Sequence, residues 1–112
     1  RHAEVYRGSF AISVCPSENV ESPTIVGAQA ANELLNIIGI KASFVLTEYN
    51  DKIYISSRSI DEINVQIIME KLGGGGHLNV AGAQLEGVTI VQAKRMIQDT
   101  LDEMLKEGDI EE

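Results

Sequence analysis

The chain has 112 residues, 44% of them hydrophobic, and a formal net charge of −8. That length allows one domain with a modest core, and no apolar run approaches the roughly 18 residues of a membrane span. Its single cysteine, Cys15, excludes an internal disulfide. At the end of an apolar run, it reads as a small buried hydrophobe rather than a redox centre.

The charge is unevenly placed. Between Asp99 and Glu112 seven acids accompany one base, Lys106, so that stretch carries −6 and the rest of the chain only −2. This pattern predicts a solvated helix end followed by an acidic, frayed tail over about 107–112. The near-neutral body leaves room for a local anion site. It offers no basic stripe of the kind that double-stranded DNA requires. The chain opens on Arg1 and shows no signal peptide, so it reads as part of a longer polypeptide with His2 in a linker.

In chain order, Val5 to Val14 alternates like a half-buried strand, and Pro16-Ser17-Glu18-Asn19 is turn chemistry. Ser22 followed by Pro23 marks a helix start, with an apolar stripe of Val26, Ala30, Leu34 and Ile38 and a stop at Gly39. Ala42 to Glu48 and Ile53 to Arg58 form a hairpin about Asn50-Asp51. In its second strand Ile53, Ile55 and Ser57 share one face, while Tyr54, Ser56 and Arg58 share the other. Ser59 and Glu62 have capping-box spacing, before a helix carrying Val65, Ile68, Met69 and Leu72. A short strand at Ala83–Leu85 follows the glycine run. A second capping box, Thr89 with Gln92, opens the longest helix, buried along Ile90, Ala93, Ile97, Leu101 and Met104. The fold class is α/β, in the order β-α-β-β-α-β-α, with a single mixed sheet, flanking helices and right-handed crossovers.

Chemistry concentrates in Gly73-Gly74-Gly75-Gly76-His77-Leu78-Asn79. Glycines allow close backbone approach to a ligand, and successive free N–H groups form an anion nest. The His77 ring and the Asn79 amide add donors. This is not a Walker loop, since no Lys-Ser/Thr follows. The alternative is a plain hinge before a solvent-facing histidine. Arg58 ends a strand among Ser56, Ser57 and Ser59, and either contacts phosphate or is an ordinary surface arginine. Arg7 is a weaker candidate of the same kind. The five aspartates do not cluster with His77, so a two-metal hydrolytic centre cannot be assembled from this chain.

Ser57-Arg58-Ser59, a short helix, then Gly-Gly-Gly-Gly-His with Asn79 and Ala81-Gly82 resembles the DHH-associated C-terminal domain (DHHA) of DHH phosphoesterases. The likeness covers nearly all of residues 1–112. Asn79 and Ala83-Gln84 look most like the GdpP type, membrane-anchored bacterial cyclic di-AMP phosphodiesterases. The resemblance implies that a preceding DHH domain of the same polypeptide holds manganese and activates water, while this cytoplasmic domain grips the substrate. His77 and the Gly74, Gly75 and Gly76 amides would hold a phosphate of a nucleotide or cyclic dinucleotide, and Arg58, Asn79 and Ser57 would assist. The Asp-His-His metal motif is not in this sequence, so the chain is expected to hold no metal of its own and to be inactive alone. Alternatives are a lobe of an oligoribonuclease or 3′-phosphoadenosine 5′-phosphate phosphatase, an RNA-binding or single-strand nucleic-acid-binding module, and a dimerising module. A homodimer is compatible with all of them.

Overall fold

The computed structural model describes residues 3–16 and 22–112. The elements are β1 (Ala3–Tyr6), β2 (Phe10–Cys15), α1 (Pro23–Leu34), β3 (Ala42–Tyr49), β4 (Lys52–Ser59), α2 (Val65–Lys71), β5 (Gly75–Gly76), β6 (Val80–Glu86) and α3 (Ile90–Glu107). They build one mixed sheet in the order β1-β2-β3-β4-β6-β5. Only the β2–β3 pair is parallel, joined through α1, and the remaining pairs are antiparallel. The α/β architecture and the expected order stand, with two additions. The first expected strand is a hairpin, and two residues of the glycine run form a short edge strand. The Pro16–Asn19 turn and His2 lie largely outside the described residues.

Strand alternation divides the interior in two. Phe10, Ile12, Phe44, Leu46, Ile53 and Ile55 point to one face and meet α2 and α3 in the larger core, which also takes Ile68, Met69, Ile97, Leu101 and Met104. Ala11, Cys15 and Val45 point to the other face and meet Ala30, Ala31 and Leu34 of α1. Cys15 is free and buried, as its apolar setting predicts. The second layer is thin because its side chains are small. Gly27 of α1 lies so close to the sheet that a Cβ there would stand 2.6 Å from Ser56 Oγ, and Ser43 Oγ donates to the Ala31 carbonyl at 2.7 Å.

Local signals hold at several ends. Ser22 caps α1 with Pro23 in its first turn, and the Thr89–Gln92 capping box of α3 closes in both directions. Asn50 and Asp51 both take left-handed φ, 51° and 63°, the requirement of a tight two-residue hairpin turn. Elsewhere tertiary pairing overrides them. The Ser59–Glu62 capping box does not form. Ser59 is the last residue of β4, pairs with Ala42, and its hydroxyl donates to the Ile63 carbonyl at 2.6 Å. Asp61 turns at φ 51°, Ile63 is buried, and Asn64 caps α2 instead. α1 stops at Leu34, before Gly39, so Ile38 leaves the expected stripe and is fully exposed. The acidic end is ordered in part: Gly108 closes α3 in a left-handed cap, Ile110 returns to the core, and Lys41 Nζ reaches the Glu112 carbonyl at 2.8 Å.

Arg7 has φ 49° and Gly8 φ 76° at the β1–β2 turn, which swings the Arg7 side chain toward α3. Its Nε donates to Asp102 Oδ1 at 2.7 Å, and Tyr6 Oη donates to both Asp102 oxygens at 2.7 and 2.8 Å. One and two turns earlier on α3, Gln98 and Lys94 bind Glu4 at 3.2 and 2.7 Å. Arg7 is therefore engaged in a structural contact and is not available as a phosphate ligand.

Hydrogen bonds from Arg7 and then Tyr6 hold the Asp102 carboxyl below the usual carboxylate range. A carboxylate depressed in the folded state stabilises above its unfolded pKa, and that contribution disappears as pH falls through the folded value. Acidification below the ordinary carboxylate range should therefore loosen β1 from α3 before the core unfolds, read as smaller amide-exchange protection factors in Ala3–Tyr6, each taken against the intrinsic rate at that pH. Asp102→Asn should show fast exchange already at neutral pH. Protection factors in β1 that are unchanged by either treatment would refute this account.

Candidate functional site

α1 covers β2, β3 and part of β4, and leaves β6 and the rest of β4 bare on its side of the sheet. A groove of about 620 Å³ occupies that space. Its floor is the upward-facing residues of the two strands, Tyr54, Ser56 and Arg58 from β4 and Val80, Gly82 and Gln84 from β6. One wall is the first turn of α1 at Thr24, and the other is the backbone of Gly73–His77.

The glycine run has different reasons at each position. Gly73 ends α2 with φ 85°, in the left-handed region where glycine is favoured. A Cβ on Gly74 would lie 2.0 Å from the Gly82 carbonyl oxygen, and one on Gly76 would lie 2.5 Å from Ala81 Cα. These two glycines let β5 lie directly against β6. Gly75 is different: a Cβ there would meet nothing within 4 Å, and its φ is not positive. Nothing inside the fold demands glycine at this position, yet it lines the groove.

The loop amides do not form the nest anticipated from the sequence. Gly73 N donates to the Glu70 carbonyl at 3.1 Å, Gly74 N to Met69 at 2.8 Å and His77 N to Val80 at 2.7 Å. Closing α2 and turning the chain into β6 requires those bonds, so at least three of the five loop N–H groups are already paired, and Gly75 and Gly76 belong to the β5–β6 ladder. What the glycines offer a ligand is chiefly a bare, low wall.

The side chains sort clearly. Arg58 and His77 come to the same groove, a proximity that sequence alone could not establish. Arg58 is half-buried, donates through Nη1 to the Ser57 carbonyl at 2.8 Å, and forms no ion pair among the described residues. Burial pulls its guanidinium below the usual arginine value, and it remains a cation throughout the neutral range. Ser57 points the opposite way, into the larger core, fully buried with its Oγ unpartnered. Asn79 also lies outside the groove lining. Its Nδ2 donates to Ser59 Oγ at 2.9 Å and to the Asp61 carbonyl at 3.2 Å, tying the segment before α2 to the start of β6. Sequence reasoning did not propose Tyr54, Gln84 or Thr24 for the site. Strand alternation already placed Tyr54 on the face of Arg58, and that signal could have found it.

No aspartate or glutamate lines the groove among the described residues, although the chain has 17 of them. Nor do three His, Cys, Asp or Glu side chains converge anywhere among those residues. An unpaired, half-buried guanidinium beside an imidazole and a bare backbone wall is chemistry suited to an oxyanion such as phosphate.

The chain belongs to the DHHA1 domain family, whose model matches residues 8–107. It is 47% identical over 100 residues to the cyclic-di-AMP phosphodiesterase PdeA of Listeria monocytogenes, covering 88% of this chain and 15% of that protein. It is 37% identical over 110 residues to the cyclic-di-AMP phosphodiesterase GdpP of Bacillus subtilis, covering 96% of this chain and 17% of that protein. The likeness to the GdpP type read from the sequence is thus shown, over about a sixth of the relatives' length. Among solved structures, an exopolyphosphatase-related protein from Bacteroides fragilis shares the fold with a TM-score of 0.79 at 23% identity, over 91% of this chain and 31% of that one.

Two alanine substitutions separate the fold's need for glycine from the groove's. Gly74→Ala should lower stability by about 3 kcal/mol in chemical denaturation, because backbone cannot move aside. Gly75→Ala should stay within about 0.5 kcal/mol of wild type while weakening any ligand held in the groove. Equal destabilisation by the two would contradict this assignment.

Proposed function

We propose that this chain is the substrate-gripping domain of a phosphodiesterase acting on cyclic di-AMP, with Arg58 and His77 holding a phosphate against the glycine wall. The observation that carries the reading is the groove's electrostatic character. A chain of net charge −8 keeps every described carboxylate out of one groove and leaves a half-buried arginine there without a counterion. A partly desolvated cation is costly without a partner, and a bound phosphate would supply one. The names of the Listeria and Bacillus relatives make cyclic di-AMP the first substrate to consider.

In this reading, hydrolysis belongs to a preceding DHH domain of the same polypeptide, which would hold the manganese that such hydrolysis needs, and the parent is anchored in the bacterial cell membrane. This domain then contributes position: a guanidinium and an imidazole that hold the phosphate in place. Among the described residues, no helix is long and apolar enough to cross a membrane.

Titrating the chain with cyclic di-AMP and with the linear dinucleotide, followed by NMR, tests this. Shifts should cluster at Arg58 and Gly73–His77. Arg58→Ala and His77→Ala should each weaken binding about tenfold or more, the range for a charge-assisted hydrogen bond. The chain alone, supplied with manganese, should cleave neither compound. An absence of shifts at millimolar ligand, or cleavage by the chain, would overturn the proposal.

A further inference from the structure

The groove has a second end that the phosphate grip does not use. Tyr54 and Arg58 lie on the same face of β4, four residues and so about 13 Å apart. Across the register Tyr54 pairs with Gln84 and Arg58 with Val80, so Gln84 lies beside Tyr54 at the end remote from Arg58. Ser43 holds the Ala31 carbonyl and Gly27 lies against Ser56 and Thr47. α1 therefore runs along β3 with its first turn toward the Tyr54 end, and Thr24 lines the groove there.

We infer that Tyr54 and Gln84 form a nucleobase-reading end of this groove, selective for adenine. The inference rests on the phosphate-gripping assignment of Arg58 and His77 and adds to it the residues that decide which nucleotide is held.

Three observations carry it. The two ends lie on one face about 13 Å apart between Cα atoms, which leaves room for a nucleotide laid from phosphate to base with the side chains reaching inward from each end. Between them the floor is low, because Ser56 is small and buried and Gly82 opposite it has no side chain, so no bulky group stands in the path of the sugar. The Tyr54 ring is half-buried in the lining, and neither its hydroxyl nor the exposed Gln84 amide has a protein partner among the described residues. An aromatic face stacks any base. The neighbouring glutamine supplies one acceptor and one donor side by side, matching the N6 amino group and N7 of adenine. Guanine and hypoxanthine present two acceptors at those positions and leave the Gln84 carbonyl oxygen facing another oxygen.

Adenosine 5′-monophosphate, inosine 5′-monophosphate and ribose 5-phosphate test this when titrated into the chain by NMR. Wild type should bind the adenine nucleotide tightest and the base-free sugar phosphate weakest. Tyr54→Leu should bring the adenine nucleotide down to the level of ribose 5-phosphate, a loss of about tenfold. Gln84→Ala alters an exposed side chain and keeps the fold. It should abolish the preference for adenine over hypoxanthine while leaving ribose 5-phosphate unchanged. Arg58→Ala should weaken all three ligands alike.

Equal binding of the three ligands by wild type would overturn the base reader. So would an adenine preference that survives both Tyr54→Leu and Gln84→Ala. In either case, loss of ribose 5-phosphate in Arg58→Ala would leave the phosphate grip standing. Failure of wild type to bind any of the three would overturn both.

Discussion

Gly74, Gly76 and Gly82 allow two stretches of backbone to lie against each other and against β4 with no Cβ between them, and the groove depends on that contact. With any side chain at Gly74 or Gly76, β5 could not seat on β6. The sheet would then end one strand earlier, and the loop carrying His77 would lose its anchor. The same contact sets the height of the groove wall. The bonds from Gly73, Gly74 and His77 to Glu70, Met69 and Val80 then tie the loop that carries the imidazole at three points.

The groove's position follows from a mismatch of widths. A helix with its side chains is about 10–12 Å across, and neighbouring strands are about 4.8 Å apart, so one helix covers two or three strands. On one face α2 and α3 share the work and close a large apolar core. On the other, the described residues provide α1 alone, seated over β2 to β4. β6, the strand beyond it, carries Gly82 and Gln84 there beside Val80, so little apolar surface is left bare.

The sequence was most legible where structure is local. The caps at Ser22 and Thr89 and the turn at Asn50-Asp51 need only their own neighbours, and each stands in the structure. Ser59 and Glu62 had equally good spacing, yet Ser59 was already committed to Ala42 and to the network through Asn79 and Ile63, partners remote in the chain. Arg7 looked like an edge residue until the fold brought Asp102 beside it, 95 positions away. The site itself was half legible. Arg58 and His77 could be singled out by residue type, but only the β4–β6 pairing brings them to one groove. Ser57 could have been set aside from alternation alone, since adjacent residues of a strand face opposite ways. Paired loop amides could not be foreseen, because a glycine run has the same composition whether its N–H groups are free or bonded.

The thinness of the α1 layer has a consequence for how such a domain can change over time. Gly27 sits on the Ser56 side chain with no room for a methyl group, so with serine at 56 the gap between helix and sheet is already small. Drift at position 27 can run only one way: any larger residue there would press on Ser56, lift α1 and carry Thr24 away from the groove. The aperture can therefore be widened by a single codon but narrowed only by building up its far side. A lineage adapting this scaffold to a bulkier ligand would have an easy route through α1. One adapting it to a smaller ligand would have to work through the position that the fold leaves unconstrained, Gly75.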